Sequence, residues 1–232
     1  MEQPLSFLNP YGHGFARLAV AVPRIRVADP AFNAAESVAM LAEAAGQGAV
    51  VVAFPELGLS AYTCDDLFHQ RALLDACEAA LGTVAEATRA IPVVAIVGLP
   101  LRADHRLFNC AAVVFGGRVL GVVPKTYLPN YGEFYEARQF NSGDTARAHE
   151  VRLLGADVPF GADLLFQAEN LPLLKLAVEI CEDVWVPIPP SSYAALAGAT
   201  VLVNLSASNI TIGKSDYRHR LVSSQSARCL AA

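Results

Sequence analysis

Two segments of this chain are apolar runs with no alternation of apolar and polar residues, and the first of them ends in a glutamate. They are residues 49–56 (AVVVAFPE) and residues 92–100 (PVVAIVGLP). A strand with one face in water alternates along its length, whereas a strand that is covered on both faces is a continuous apolar run. Both segments therefore predict central strands, and a sheet that is covered on both sides requires a layered α/β fold.

Helical segments separate and follow these strands. Residues 29–48 begin with Asp29 as N-cap and Pro30 at the first helical position, and they end in glycine, so the limits of this helix are well marked. The other predicted helices are residues 66–90 with one glycine interruption, residues 191–199 capped by serine, and residues 215–232 running to the end of the chain.

Further strands complete the predicted sheets. Residues 110–125 (CAAVVFGGRVLGVVPK) predict two strands that are joined at Gly116–Gly117, a two-residue hairpin signal. A long polar loop with aromatic residues is expected next, and the stretch before residue 173 is expected to be irregular. The remaining predicted strands are residues 15–22, 173–180 and 200–206.

Size and charge exclude several classes of protein. With 232 residues, 54% of them hydrophobic, the chain is expected to form one large ordered domain. A net charge of −5 and the lack of a basic run argue against nucleic acid or an anionic membrane as a partner. The longest apolar run, residues 91–101, is too short to span a bilayer. The start of the chain lacks a secretory signal, so we expect a cytoplasmic protein.

The cysteines and histidines give no sign of a disulfide scaffold or a metal site. The five cysteines are odd in number and scattered, and no CxxC pair occurs. The five histidines show no HExxH or similar spacing. We therefore expect no bound metal, and reduced thiols of which at most one is chemically active.

An ionisable residue follows directly on three of the apolar runs: Glu56, Lys125 and Cys181. Reactive side chains gather at strand ends in layered α/β folds. Each of the three also has an ordinary structural interpretation, as a turn residue, a solvated lysine and a small buried side chain. Acidic residues surround Cys181, which disfavours a thiolate. If the three meet, Lys125 would supply positive charge and Glu56 would accept the thiol proton.

The sequence around these residues resembles that of a known family. The segments FPELGLSAYTCDDLF (54–68), VPKTYLPNYGEFYEARQF (123–140) and LAVEICEDVWVP (176–187) resemble the nitrilase superfamily of carbon–nitrogen hydrolases. Together with AGATVLVNLSASNITIGK (197–214), they are more similar still to the N-terminal glutaminase domains of glutamine-dependent NAD synthetases. The similarity extends over nearly the whole chain.

The resemblance implies a four-layer α-β-β-α sandwich and a set of site residues. By motif position, Cys181 is the nucleophile, Glu56 the general base and Lys125 the residue that stabilises the oxyanion. Glu133 matches a second glutamate near the triad. The implied substrate-binding residues are Tyr131, Ser208 and Lys214, together with Glu182, whose backbone N–H would also face the oxyanion.

The same resemblance implies hydrolysis of L-glutamine through a cysteine thioester. The ammonia would serve the ATP-dependent amidation of deamido-NAD by a synthetase domain of the same polypeptide. No cofactor is expected for the glutaminase step, whereas ATP and Mg²⁺ are expected for the synthetase step. Residues 1–232 are interpreted as one glutaminase domain, incomplete at its C-terminus and lacking the synthetase domain, in a homo-oligomer. The alternatives are a stand-alone amidase or nitrilase that acts on another small amide, and a catalytically silent assembly module.

Overall fold

The computed structural model of the chain describes residues 9–232. The prediction that the chain lacks a secretory signal depends partly on residues 1–8, which lie outside this range. The described residues form ten strands and four α-helices, in this order: β1 (Leu18–Val20), α1 (Pro30–Gly46), β2 (Val51–Ala53), α2 (Arg71–Ala90), β3 (Val94–Ala103), β4 (Arg106–Phe115), β5 (Arg118–Pro124), β6 (Glu150–Leu153), β7 (Ala156–Pro159), β8 (Leu165–Gln167), β9 (Lys175–Ile180), α3 (Pro190–Leu196), β10 (Val201–Leu205) and α4 (Lys214–Cys229).

Two sheets form the centre of the molecule. The first has the order β1-β2-β3-β4-β5, with β1, β2 and β3 parallel and β3, β4 and β5 antiparallel. The second has the order β10-β9-β8, in which β9 and β10 are parallel. A separate two-stranded hairpin consists of β6 and β7. Each sheet therefore has a parallel part, where strand ends of the same polarity come together.

The layers are helix, sheet, sheet and helix, as the resemblance implies. One apolar core joins α1 and α2 to the first sheet and contains Leu41, Leu81 and Val52. A second core lies between the two sheets, where Ile96 of β3 packs with Val178 of β9. Successive residues of a strand point to opposite faces, so an unbroken apolar strand serves both cores. This is the physical reason why β2 and β3 lack alternation.

The predicted first helix and the predicted hairpin are confirmed. Asp29 is the N-cap of α1, and its carboxylate accepts a hydrogen bond from the Phe32 backbone N–H. The turn between β4 and β5 is formed by Gly116 and Gly117, with φ of +59° and +81°. A φ in this range strains residues that have a Cβ atom, which explains the paired glycines.

The predicted 66–90 helix begins later than expected. Residues Asp65–His69 form a separate 3₁₀ turn, and α2 starts at Arg71 and continues through Gly82 without interruption. The helix predicted over 191–199 lies at Pro190–Leu196, and its N-cap is Pro189 instead of a serine. Both differences concern the first turn, where a backbone turn and a proline replace side-chain capping.

The last helix does not run to the end of the chain. It begins at Lys214 and ends at Cys229, because Leu230 adopts a left-handed conformation with φ of +51°. Ala232 then lies beside β10: its N–H donates to the Thr200 carbonyl at 2.9 Å, and its carbonyl accepts from the Leu202 N–H at 2.8 Å. This is the hydrogen-bond pattern of a parallel strand pair.

The stretch that was expected to be irregular contains three strands. The hairpin of β6 and β7 turns at Leu154 and Gly155, both with positive φ. The third strand, β8, forms one edge of the second sheet. Among the described residues, no helix is both long enough and apolar enough to cross a membrane.

Candidate active site

Glu56 is buried at the end of β2, on a turn that packs against the backbone of β3. Its side chain is fully enclosed. The turn crosses Gly98 so closely that a Cβ atom at this position would lie 2.3 Å from the Leu57 nitrogen and 2.7 Å from the Pro55 carbonyl oxygen. Gly98 therefore allows the close approach that sets the position of the Glu56 carboxylate.

Lys125 follows β5 and is fully buried. Its Nζ atom lies 2.6 Å from Glu56 Oε1 and 2.8 and 2.9 Å from the two carboxylate oxygens of Glu136. Burial disfavours the charged lysine, but the charges of Glu56 and Glu136 outweigh this effect and raise the pKa of Lys125. The ammonium is therefore charged and held between two carboxylates.

The two oxygens of Glu56 have different surroundings. Oε1 accepts from Lys125 Nζ and also from Asn109 Nδ2 at 2.7 Å, whereas Oε2 accepts from the Ala207 backbone N–H at 3.0 Å. A carboxylate oxygen accepts about two hydrogen bonds in its own plane. The oxygen that retains an open position is therefore Oε2.

Cys181 follows β9 and opens a 3₁₀ turn, Cys181–Trp185. Its φ of +48° is unusual for a residue with a side chain, and such strain concentrates at functional sites. The sulfur lies 3.4 Å from the Ser206 hydroxyl, which donates to it. Burial, together with the charge of Glu56, raises the pKa of the thiol to about 12, against the opposite effect of Lys125.

The structure thus brings Glu56, Lys125 and Cys181 together, although the sequence separates them widely. With its raised pKa the resting sulfur is a neutral thiol, and the charge of Lys125 offsets the effect of burial and of Glu56 only in part. The main reason is burial of the sulfur, to which the charge of Glu56 adds, while Lys125 also contacts a second carboxylate, that of Glu136. A thiolate is favoured only when a proton acceptor takes the thiol proton during attack.

The acidic residues around Cys181 have partners of their own. Asp183 is buried, and its Oδ1 atom accepts from the backbone N–H groups of Thr126 and Tyr127 at 3.1 and 2.7 Å. Its Oδ2 atom accepts from the Ile180 N–H at 2.9 Å. Because Ile180 precedes Cys181 and Thr126 follows Lys125, Asp183 ties the cysteine turn to the end of β5. Burial raises its pKa to about 7.

Glu179 also holds the segments around Cys181 in place. Its carboxylate accepts from the Ser191 backbone N–H at 3.0 Å and from Asn204 Nδ2 at 3.4 Å. Asn204 Nδ2 also donates to the Cys181 carbonyl at 3.3 Å. Burial raises the pKa of Glu179. The residue therefore connects β9, α3 and β10 behind the cysteine.

The second glutamate of the site is Glu136, and the prediction of Glu133 for this position is wrong. Glu133 is exposed, next to Gly132 with its φ of +58°, whereas Glu136 is buried and contacts Lys125. Glu136 also accepts from the Tyr62 hydroxyl at 2.7 Å. Burial raises its pKa, against the opposite effect of Lys125. Both residues belong to one motif, and the sequence alone does not reveal which of them faces inward.

The predicted binding residues lie at a more open part of the site. The Tyr131 hydroxyl donates to both carboxylate oxygens of Glu182, at 2.9 and 3.0 Å. The Lys214 ammonium donates to Asn209 Oδ1 and lies 5.8 Å from the ring of Phe134. The Tyr131 and Phe134 rings pack edge to face. The cationic Lys214 and the anionic Glu182 are thus linked by contacts through the rings of Phe134 and Tyr131.

Two further observations complete the site. Ser208 is half-buried in the loop after β10, two residues beyond Ser206. A neighbouring cavity of about 160 Å³ is lined by Tyr62 and Glu136, without Cys181 in its wall. Across residues 9–232, no group of three or more His, Cys, Asp or Glu side chains is arranged to hold a metal ion.

Sequence reasoning missed Asn109, Glu136, Ser206 and the Ala207 N–H. Asn109 lies within β4 and Ser206 directly follows β10, and nothing in the local sequence marks either polar residue. Glu136 was within a quoted motif. Asn109, Ser206 and Ala207 reach Glu56 and Cys181 only because the strands pack together in space.

Comparisons with known proteins identify relatives of this chain. The carbon–nitrogen hydrolase family model matches residues 17–232. Among curated proteins, the glutamine-dependent NAD(+) synthetase of Mycobacterium tuberculosis H37Rv is 52% identical over 229 residues, which cover 98% of this chain and 33% of that protein. The corresponding protein of Mycobacterium leprae is 46% identical over 228 residues, with the same coverage.

Solved structures show the same fold. The chain matches a glutamine-dependent NAD(+) synthetase from Cytophaga hutchinsonii with a TM-score of 0.78 and 28% identity, over 93% of this chain and 34% of that one. An amidase from Nesterenkonia sp. matches with a TM-score of 0.72 and 20% identity, over 93% of this chain and 73% of the amidase. The chain spans about a third of the length of the synthetases that it matches.

Proposed function

The chain belongs to the carbon–nitrogen hydrolase family, and we propose that it hydrolyses the side-chain amide of L-glutamine to glutamate and ammonia. The observation that carries this proposal is the buried contact of Glu56 with Lys125 beside Cys181, next to a cluster of charged and aromatic side chains. An acid, an amine and a thiol at one strand-end site provide a base, an oxyanion donor and a nucleophile.

In the proposed first step, Cys181 attacks the amide carbon. The S–H bond breaks, its proton passes to Oε2 of Glu56, and the sulfur electron pair forms the new S–C bond. Oε2 is assigned because Oε1 already accepts from Lys125 and Asn109. The high pKa of the resting thiol supports transfer of the proton during attack instead of a preformed thiolate.

The developing oxyanion is stabilised by Lys125 and by the backbone N–H of Glu182. Loss of one oxyanion donor typically lowers the rate by about two to three orders of magnitude. Glu56 then returns its proton to the departing nitrogen, ammonia leaves, and a γ-glutamyl thioester remains on Cys181. Water, deprotonated by Glu56, attacks the thioester carbon. The S–C bond then breaks, the Cys181 sulfur takes the proton from Glu56, and glutamate is released.

Charge complementarity supports an amino-acid amide as the substrate. Free glutamine carries an α-ammonium and an α-carboxylate, and the outer part of the site carries one side chain of each sign, Glu182 and Lys214. Tyr131 fixes the Glu182 carboxylate, and Ser208 offers a further hydroxyl in the loop beside Lys214. A simple aliphatic amide has no charge for these groups to bind.

We further propose that the chain is the ammonia-releasing part of a longer synthetase. Relatives that are 52% and 46% identical are named glutamine-dependent NAD(+) synthetases, which supports NAD synthesis as the use of the ammonia, through the ATP-dependent amidation of deamido-NAD that we propose. ATP and Mg²⁺ belong to that step, and no step on Glu56, Lys125 or Cys181 involves them. The five cysteines are all unpaired, which supports a reducing, cytoplasmic location. A homo-oligomer also remains a proposal.

Substrate comparison tests the proposal. Purified protein is incubated with L-glutamine, L-asparagine, a short aliphatic amide and a nitrile, and ammonia release is measured. We expect kcat/KM for glutamine to exceed that for the aliphatic amide and the nitrile at least about tenfold, the value of one well-placed charged contact. L-Asparagine carries the same two charges, but its side chain is one methylene shorter and cannot place the amide at Cys181 while both charges are bound, so it is expected to be the poorer amino-acid substrate. Cys181→Ala is expected to abolish release, whereas the matched variant Cys229→Ala retains it. Preference for the aliphatic amide or the nitrile would instead indicate a stand-alone amidase or nitrilase.

A further inference from the structure

The register of β9 and β10 places Ser206 beside Cys181. In the parallel pair of β9 and β10, Ile180 is the partner of Leu205. The next residues of the two strands are Cys181 and Ser206, so they leave the sheet side by side. The Ser206 hydroxyl donates to the Cys181 sulfur at 3.4 Å, within the normal range for a hydrogen bond to sulfur.

The residue after Ser206 holds the base. The Ala207 N–H donates to Glu56 Oε2, the oxygen to which the thiol proton is assigned. The same N–H also opposes the rise of the Cys181 pKa. Two consecutive residues at the end of β10 therefore contact the proton donor and the proton acceptor of the same step.

The sulfur needs donors because its surroundings are unfavourable to negative charge. Cys181 is buried, and the nearest cation, Lys125, already contacts two carboxylates. Charge on sulfur in such a place is stabilised mainly by hydrogen bonds that point at it, and those to ionised groups are about twice as strong as neutral ones. The Ser206 hydroxyl is such a donor.

We propose that Ser206 is a catalytic residue, whose hydroxyl donates to the Cys181 sulfur and stabilises it as the thiol loses its proton to Glu56. The hydroxyl keeps its own hydrogen throughout, so the S–H proton goes to Glu56 and the sulfur electron pair goes to the new bond. This inference deepens the proposed function, because it depends on Cys181 acting as the nucleophile.

Alkylation of Cys181 tests this role without any amide substrate. Iodoacetamide reacts with the thiolate, and peptide mass spectrometry separates the Cys181 product from that of Cys229. Rates are measured between pH 7 and pH 10 for wild type, Ser206→Ala, Ser206→Thr and the control Ser223→Ala, an exposed serine of α4. Circular dichroism and thermal unfolding establish the fold of each variant.

We expect Ser206→Ala to slow Cys181 alkylation about three- to tenfold at each pH, since loss of the donor raises the thiol pKa by about one unit while the remaining thiolate becomes slightly more nucleophilic. Ser206→Thr keeps a hydroxyl and is expected to stay within about twofold of wild type, as is Ser223→Ala. Ammonia release should fall in kcat, with KM nearly unchanged.

Wild-type alkylation rates in folded Ser206→Ala would overturn the proposal. Unfolding of this variant would also overturn it, because the Ser206 hydroxyl would then be required for the fold and not for catalysis. If glutamine proves not to be the substrate, the alkylation rates still report on Ser206. Failure of the proposed function and failure of this inference are therefore distinguishable.

Discussion

The Oε2 atom of Glu56 lies 3.0 Å from the backbone nitrogen of Ala207, although 151 positions separate the two residues along the chain. Glu56 ends a strand of the first sheet, and Ala207 follows the last strand of the second. Their hydrogen bond joins the two sheets at the point where Cys181 begins its turn. The site therefore depends on the packing of the sheets, and substitutions that disturb this packing are expected to affect activity.

Glu136, and not Glu133, is predicted to support the ammonium of Lys125. Glu136→Gln removes one of two carboxylates from Lys125, and hydrogen bonds to charged groups contribute about 1.5–3 kcal/mol. We expect kcat to fall about tenfold to a hundredfold. Glu133→Gln is the matched control, with an expected change below about threefold. Equal losses in both variants, measured as ammonia release, would contradict the assignment.

Asp183 is predicted to hold the cysteine turn. In Asp183→Asn, one side-chain oxygen can still accept from Thr126 and Tyr127, but the amide nitrogen would then face the Ile180 N–H, a donor against a donor. A buried unsatisfied donor costs about 1–3 kcal/mol. Urea unfolding should show a loss of this size, whereas the exposed control Asp144→Asn should be neutral. Equal stability of the two variants would contradict this role.

Asp183 also predicts a pH dependence of stability. Its folded pKa of about 7 lies above the ordinary value of 3.8, so the folded protein binds a proton that the unfolded chain has lost. Its contribution is therefore complete below about pH 4 and is lost as the pH rises toward 7, by up to about 1.4 kcal/mol per pH unit. Urea unfolding at pH 5 and 7 should show a smaller difference for Asp183→Asn than for wild type. An identical pH dependence of the two proteins would refute the prediction.

Gly98 is predicted to be intolerant of any side chain. A Cβ atom there would lie 2.3 Å from the Leu57 nitrogen, so Gly98→Ala must displace the turn that carries Glu56. Overpacking of this kind costs about 1–3 kcal/mol, and we expect activity to fall with stability. Gly46→Ala, at the end of α1 with no atom near its Cβ position, should be neutral or slightly stabilising. A thermal shift of equal size in both variants would count against this explanation.

Much of the architecture was predictable because it follows from local patterns. The unbroken apolar runs of β2 and β3 predicted buried strands, and Asp29 and Gly116–Gly117 fixed a helix start and a hairpin. The hairpin of β6 and β7 was missed, although buried and exposed residues alternate along β6 before a turn that contains glycine. That signal lay in a short stretch without long apolar runs.

The contacts of the site were less predictable, because they depend on how distant segments pack. The motifs identified the three residues that meet, but not the contact of Lys125 with two carboxylates or the burial that raises the pKa of the Cys181 thiol. The choice between Glu133 and Glu136 depends on which side of a turn faces inward. The role of Gly98 depends on the close packing of the Glu56 turn against β3, which no local sequence pattern reveals.

Labelling with an electrophilic glutamine analogue is the most direct test of the central claim, that Glu56, Lys125 and Cys181 act together on a glutamine side chain. Peptide mass spectrometry should find the adduct on Cys181 of the wild-type protein, and no adduct at this position in Cys181→Ala. Labelling should be slowed at least about a hundredfold in Glu56→Gln, which lacks the proton acceptor. Folded wild-type protein that stays unlabelled, or that carries the label on Cys229 instead, would contradict the account.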